Sequence, residues 1–194
     1  MALILMLHLL LVLLDGTHVA ATIGGSFFGV AKNATLNCIK VMADDGSGAT
    51  SDILNGIDFA RQQAVNSGRP SVISMSIGGP PNRAIDDAVR VLPVDYDRPA
   101  YHTLTCVPQV RNVVNQGIPF IVAAGNDGQS ADNVSPARIP ETITVGATTI
   151  NDTFASFSNF GKAVDILAPG ADILSAGINA DDGVAKLSGT SMAT

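Results

Sequence analysis

Short apolar runs with strand character alternate with helix-like segments along the chain, and this alternation constrains the fold more than any other feature. Residues 118–124 are apolar throughout, which is typical of a strand covered on both faces. Residues 35–42 and 71–77 have the same strand character, and apolar residues at helical spacing lie between them. Strand, helix and strand joined by short connections predict a three-layer α/β fold, with a mostly parallel sheet and helices on both faces.

The helix between these strands is predicted to begin at a cap provided by Ser51 or Asp52 and to stop at Gly68 and Pro70. Its core-facing apolar side chains are Ile53, Leu54, Ile57, Ala60, Ala64 and Val65. Further predicted elements are helices at 17–23 and from about Asn82 to Val89, and strands at 142–145, 163–167 and 172–176.

Two segments do not fit the alternation. Residues 1–14 are almost entirely Leu, Ile, Val and Met, but they are too short to span a bilayer and lack the basic start and cleavage site of a signal peptide. A degenerate signal-like segment is the alternative interpretation. Residues 91–110 contain three prolines and no periodicity, which indicates a surface insertion.

Composition excludes several classes of partner. The 11 basic and 17 acidic residues give a net charge of -6, so neither nucleic acid nor an anionic membrane is expected to bind. The two cysteines, Cys38 and Cys106, do not form a disulfide framework. Cys38 lies in a strand-like run and is expected to be a buried thiol. A disulfide between the two is the less favoured alternative, because its geometry is demanding.

Small residues surround Ser191 near the end of the chain, in the run Gly189-Thr190-Ser191-Met192-Ala193. A backbone of this kind lets a substrate come close, and the main-chain amide of the serine can help to hold an oxyanion. The pattern therefore makes Ser191 a candidate nucleophile. The alternative interpretation is a Ser/Thr/Gly turn that caps a helix.

Three further motifs accompany this serine: DGTHVA at 15–20, SMSIGG at 74–79 and AAGND at 123–127. Together the four motifs resemble those of the subtilases, the subtilisin and proteinase K family of serine endopeptidases, in the family's order over residues 15–194. The resemblance implies a subtilisin-like peptidase domain that is incomplete at both ends. It also implies peptide-bond hydrolysis through an acyl-enzyme, an extracellular location and a monomeric state.

The resemblance assigns catalytic roles residue by residue. Ser191 matches the nucleophile, and Asn126 matches the side-chain amide that stabilises the tetrahedral intermediate. Asp15 occupies the position of the family's catalytic histidine, whereas His18 matches a second, non-catalytic histidine. Because His18 stands nearly one helical turn beyond that position, it is expected to point elsewhere, as a packed helix residue. Service as the catalytic base is the less favoured alternative for His18.

The family's orienting aspartate has no counterpart, because the corresponding region is the apolar segment 1–14. Loss of a triad member leaves only about 1,000- to 10,000-fold catalysis over water, so the chain is predicted to be inactive or nearly so. Two alternatives are a non-catalytic peptide-binding pseudoprotease and a mis-spliced fragment. In the second, segment 1–14 is translated intron and Asp15 replaces a histidine at the junction.

The resemblance also implies how substrate and metal would bind. An extended peptide would pair by strand addition with Gly46, Ser47 and Gly48 on one side and with Ser76, Ile77 and Gly78 on the other. The main specificity pocket would be formed by Ala123, Ala124 and Gly125, for which a core strand and its turn are the alternative. Likeness to proteinase K implies a structural calcium ion bound by the carbonyl oxygens of Pro140 and Thr142 and the carboxylate of Asp165. No cofactor is implied for catalysis.

Overall fold

The computed structural model describes residues 2–8, 14–43, 45–90 and 118–194. Six strands of these residues form one sheet in which all neighbouring pairs are parallel, as predicted. They are β1 (Leu3–His8), β2 (Thr35–Lys40), β3 (Ser71–Ser76), β4 (Phe120–Ala123), β5 (Ile143–Thr148) and β6 (Ile166–Pro169). Their order across the sheet is β2-β1-β3-β4-β5-β6.

Four α-helices of the described residues pack in two groups. They are α1 (Leu14–Gly24), α2 (Thr50–Ser67), α3 (Arg83–Val89) and α4 (Thr190–Ala193). Helices α2 and α3 contact each other, and α2 packs on β1, β2 and β3, whereas α1 contacts α4 and α4 packs on β4, β5 and β6. The two groups fit the three-layer fold. No helix of the described residues is long and apolar enough to cross a membrane.

Helix α2 forms much of the core. Ile53, Ile57, Ala60 and Ala64 are at most 5% exposed, while the other two predicted core residues, Leu54 and Val65, are partly buried. The predicted cap was wrong. Ala49 precedes the helix without a side-chain hydrogen bond, and the two candidate cap residues lie within the first turn. The helix ends as predicted at Gly68, whose left-handed φ of 61° suits glycine.

Strand β1 was not predicted from the sequence. Its residues Leu3–His8 pair with β2 on one side and with β3 on the other, so part of the apolar segment 1–14 is an interior strand. An apolar composition suits a strand that is covered on both faces. The predicted insertion at 91–110, which contains Cys106, lies outside the described residues.

Several local predictions needed correction. Strand β6 begins at Ile166, three residues later than the predicted strand. The predicted strand at 172–176 is β7 (Ile173–Ala176), but it pairs antiparallel with β8 (Val184–Leu187) in a separate hairpin. Cys38 is exposed rather than buried, because β2 is an edge strand of the sheet. The predicted helix after Asn82 is confirmed as α3, with the Asn82 side chain as its cap.

Candidate active site

The carboxyl ends of β3 and β4 meet the start of α4. The hydroxyl of Ser76, the last residue of β3, donates a hydrogen bond to the carbonyl oxygen of Ser191 at 3.3 Å. The amide of Gly125, just after β4, donates to Oγ1 of Thr190 at 3.2 Å. Three of the four sequence motifs therefore share one site at the carboxyl edge of the sheet, where ligand sites of open α/β sheets lie.

The side-chain amide of Asn126 has a fixed orientation. Its Oδ1 accepts hydrogen bonds from the main-chain nitrogen of Thr190 at 2.7 Å and from the Thr190 hydroxyl at 2.9 Å. Thr190 is fully buried, whereas Asn126 is exposed. Since two donors on the same buried residue hold Oδ1, the Nδ2 group is left free to donate on the open side of the site.

The amide nitrogen of Ser191 and the free Nδ2 group of Asn126 both lie near Gly189. A methyl group placed on Gly189 would lie 3.6 Å from Nδ2 of Asn126 and 3.7 Å from the main-chain nitrogen of Ser191. The φ of Gly189 is 166°, an extended value that any residue adopts, so the missing side chain is what keeps this space open. An oxyanion is stabilised by two N–H donors that border the same space.

Asp15 lies in the first turn of α1, and its helix contacts α4. Burial raises the pKa of Asp15 from 3.8 to about 6. Among the described residues, its carboxyl makes no hydrogen bond to Ser191. The structure therefore presents Asp15 as a desolvated carboxyl group rather than as part of a hydrogen-bonded catalytic chain.

His18 is fully buried and faces the β7–β8 hairpin. Its Nε2 lies 3.0 Å from the carbonyl oxygen of Ile173, and its own carbonyl accepts from the hydroxyl of Ser175 at 2.9 Å. Burial lowers the pKa of His18 below its ordinary value of 6.5. The structure thus places His18 as a neutral packed residue that joins α1 to β7.

The predicted peptide-binding segments differ in their surroundings. Ser76 and Ile77 are buried, and the exposed Gly78 follows them directly beside the Ser191 contact. Gly46, Ser47 and Gly48 lie in a turn between β2 and α2, with Gly46 half-buried and the other two exposed. The amide and hydroxyl of Ser47 both donate to the carboxylate of Asp45. Among the described residues, only the second segment has a hydrogen bond to Ser191.

The predicted pocket residues lie at the end of β4. Ala123 is 4% exposed and Ala124 is fully buried, while Gly125 has a φ of 104° that favours glycine. Sequence reasoning missed two residues that hold this region. Thr190 was overlooked although it neighbours the candidate nucleophile, and the buried Asn159 belongs to no recognised motif.

The three residues of the predicted calcium site lie around the start of β5. Oδ2 of Asp165 accepts from the main-chain nitrogen of Thr144 at 2.8 Å, and the nitrogen of Asp165 donates to the Thr144 carbonyl at 2.9 Å. Thr142 is buried and Pro140 is exposed. The described residues contain no group of three or more His, Cys, Asp or Glu that could hold a metal. An all-oxygen set with one carboxylate fits a hard cation completed by water.

Comparison with known proteins identifies the family of the chain. Residues 16–194 match the family model described as the subtilase family. A subtilisin-like serine protease of Rhodotorula mucilaginosa is 45% identical, over 92% of this chain and 48% of the relative. The extracellular serine proteinase of a Thermus species is 43% identical, over 92% and 38% respectively. The chain therefore spans about half, or less, of the length of these relatives.

A solved structure has the same fold. The crystal structure of a cold adapted subtilisin-like serine proteinase matches with a TM-score of 0.80 at 36% sequence identity, covering 100% of this chain and 71% of that one. The described sheet and the meeting point of β3, β4 and α4 thus lie within an architecture already known in this class of protein.

Proposed function

Since the chain belongs to the subtilase family, we propose that the site at Ser191 is a peptide acyl-transfer site in which charge stabilisation is complete and proton transfer is not. The observation that carries this proposal is the orientation of Asn126. Its Oδ1 is held by Thr190, so that its Nδ2 borders the same space as the amide of Ser191.

In the proposed reaction, the hydroxyl oxygen of Ser191 attacks a peptide carbonyl held along the segment Ser76–Gly78. The new C–O bond places negative charge on the carbonyl oxygen, which accepts hydrogen bonds from Nδ2 of Asn126 and the amide of Ser191. The C–N bond then breaks as the leaving nitrogen takes a proton from solvent and departs as an amine, and water hydrolyses the acyl-enzyme to a carboxylic acid and free Ser191. The hydroxyl proton must go to a base, and His18 is fully buried against β7.

No side chain of the described residues is hydrogen-bonded to the hydroxyl of Ser191, so in the proposed reaction solvent hydroxide removes the proton and turnover of peptides is near background. Activated esters remain accessible, because their leaving groups need no proton. We expect p-nitrophenyl acetate to acylate Ser191, with the release of p-nitrophenolate and a mass increase that is absent in Ser191→Ala. Asn126→Ala slows this step by about 100-fold, the typical effect of removing one oxyanion donor.

The pH dependence of acylation identifies the base. Attack that depends on hydroxide gives a logarithm of the rate that rises with a slope of about one from neutral to alkaline pH. A plateau above pH 6 that is lost in Asp15→Asn would instead make the Asp15 carboxyl the base, since its pKa is about 6. Absence of acylation, or equal acylation of Ser191→Ala, would overturn the proposal.

A peptide-binding protein without catalysis is the second candidate function. The exposed glycines Gly48 and Gly78 favour it, since they leave main-chain groups open to strand addition. Titration of the Ser191→Ala variant with unlabelled peptides, followed by NMR of the amides at 46–48 and 76–78, tests this directly. Saturable shifts without acylation of the wild-type chain would favour binding alone.

A mis-spliced origin of the chain is a separate proposal about residues 1–14 and Asp15. It predicts that the mature transcript encodes histidine in place of Asp15 and a different segment before it. Sequencing of the transcript and of the genomic locus tests this, and recovery of Asp15 in mature transcript would reject it.

Structural calcium is likewise proposed at Pro140, Thr142 and Asp165. A bound ion would link the start of β5 to the segment before β6, so calcium is expected to raise the melting temperature relative to EDTA. Asp165→Asn removes the one carboxylate and should abolish this difference, while Asp181→Asn, at an exposed position, should preserve it. We also propose an extracellular, monomeric protein, to be tested by fractionation and light scattering.

A further inference from the structure

Asn159 is a fully buried residue that lies in the segment between β5 and β6. Its Oδ1 accepts hydrogen bonds from the main-chain nitrogens of Asp127 and Gln129, both at 3.0 Å. Its Nδ2 donates to the carbonyl of Ala124 at 2.9 Å, and its main-chain nitrogen donates to the carbonyl of Gly125 at 2.9 Å. One buried residue therefore makes four hydrogen bonds to a single loop.

These hydrogen bonds fall on both sides of Asn126. Two of them hold residues 124 and 125, which precede it, and two hold residues 127 and 129, which follow it. Asn126 itself contacts Thr190 on the opposite side of the loop. The main chain of Asn126 is thus fixed by Asn159, while its side chain is oriented by Thr190.

The contact between this residue and the loop is close. A methyl group on Gly125 would lie 2.2 Å from Nδ2 of Asn159, so only glycine leaves room for the asparagine amide. Ser158 links the main chain of Asn159 to β5. Its hydroxyl accepts from the nitrogen of Ala147 in β5 at 2.9 Å and donates to the carbonyl of Asn159 at 3.0 Å. The loop is therefore connected through Asn159 to the interior of the sheet.

The chemistry of asparagine matches this task. The loop presents two N–H donors and one carbonyl acceptor to the same side chain, and an amide supplies two lone pairs on oxygen together with an N–H group. Alanine removes all three side-chain hydrogen bonds. Because Asn159 is fully buried, its substitution by alanine would leave two N–H groups and one carbonyl group of the loop without partners unless water enters.

We propose that Asn159 is a positioning residue for the acyl-transfer site. It holds residues 124–129 so that Nδ2 of Asn126 lies beside the amide of Ser191. The role rests on the function proposed above for Ser191 and Asn126. Asn159 itself touches neither substrate nor the reacting atoms, and acts through the main chain of the loop.

The first test is a double-mutant cycle on acylation by p-nitrophenyl acetate. Asn159→Ala is expected to slow acylation of the folded protein by about 10- to 100-fold, because the oxyanion donor is displaced. In an Asn126→Ala background the same substitution should change the rate less than about twofold, since no donor remains to be misplaced. Equal slowing in both backgrounds would overturn the proposal. Asn151→Ala, at an exposed position, is the matched control and should acylate at the wild-type rate.

The second test does not depend on activity. In ¹⁵N-labelled protein, the amides of Asp127 and Gln129 are expected to be protected from hydrogen exchange, and Asn159→Ala should reduce their protection at least tenfold more than that of the β5 amides. Unchanged protection would overturn the proposal. If Asn159→Ala does not fold, Asn159→Ser, which retains a hydroxyl, is compared in the same way.

The two tests separate this proposal from the function on which it rests. If the wild-type chain is not acylated while the loop amides lose protection in the variant, the acyl-transfer function fails and the fixing of the loop stands as a structural finding only. If acylation occurs and the cycle is additive, the acyl-transfer function stands and the positioning role is rejected.

Discussion

The two sides of the candidate site are built differently. On the side of Asn126 and Ser191, the buried side chains of Thr190 and Asn159 hold main-chain groups of the loop after β4, and the side chain of Asn126 accepts from the start of α4. On the side of α1, Asp15 is a partly buried carboxyl with a raised pKa, and His18 is committed to the β7–β8 hairpin.

Charge stabilisation and proton transfer are separable parts of the acyl-transfer site proposed above. The first depends on many main-chain contacts, which remain in place when a single side chain changes. The second depends on one base at one position. A chain can therefore keep the geometry that stabilises an oxyanion after the group that activates the nucleophile has gone, and the following substitutions test that separation.

The largest effect is expected on the Asn126 side, from Gly125→Ala. The new methyl group would lie 2.2 Å from Nδ2 of Asn159, and alanine is strained at a φ of 104°. The free energy of unfolding, measured by urea denaturation, should fall by roughly 3 kcal/mol or more. Gly79→Ala is the control, because no atom lies within 4 Å of its new methyl group, and its effect should stay below about 1 kcal/mol.

On the α1 side, Asp15→Asn is expected to raise the free energy of unfolding rather than lower it. The folded chain keeps the Asp15 proton up to pH about 6, whereas the unfolded chain releases it near 3.8. The free energy of unfolding of the wild-type chain therefore falls as the pH rises from about 4 to about 6 and receives no further change above that range. The variant should match the wild type near pH 4 and exceed it by roughly 2–3 kcal/mol at pH 7. Equal stabilities at both pH values would contradict a desolvated Asp15.

A smaller loss of stability is expected for Thr190→Val, which keeps the shape of the side chain and removes its hydroxyl. The amide of Gly125 loses its acceptor and Oδ1 of Asn126 loses one of its two donors. The free energy of unfolding should fall by about 1–3 kcal/mol, and the rate of acylation should fall as well. Thr153→Val, at an exposed position, should leave the acylation rate unchanged. Normal acylation by Thr190→Val would show that the orientation of Asn126 does not need the hydroxyl.

The smallest effect concerns His18. Because burial lowers its pKa below 6.5, the folded chain binds this proton less readily than the unfolded chain, and stability falls as the pH drops below 6.5. Gln at this position keeps an N–H donor but does not titrate. The test is made in an Asp15→Asn background, which removes the opposing pH dependence due to Asp15. There, His18→Gln should make the free energy of unfolding depend less on pH between about pH 5 and 7. An unchanged slope would assign it to another group.

Local pattern predicted much of this fold and less of the site. Continuous apolar runs identified β3 and β4, and spacing identified α2, because burial on fixed faces leaves a periodic trace in sequence. The interior strand β1 could not be identified in this way, since a continuous apolar run is equally typical of a strand, a leader or a non-native segment. The start of α2 was missed because Ala49 caps it without any side-chain hydrogen bond.

The site was predictable only where a motif exists. Asn126 and Ser191 were named from short motifs, and the structure brings their loops together through Thr190. Asn159 gave no signal, because its role follows from a contact between segments 30 or more residues apart. The same limit applies to His18, whose hydrogen bond to Ile173 spans 155 residues.

The interior position of β1 has a consequence for how the chain is made. Leu3 pairs with Thr35 on one side and with Ser71 on the other, so β1 is synthesised before both of its neighbours and finds the second one only after that later segment emerges. At typical rates of roughly 5–20 residues per second, this delay lasts several seconds. Meanwhile, an apolar strand with unpaired edges is open to other chains. Nascent chains should therefore depend on chaperones that shelter the residues of β1 until β3 has been synthesised.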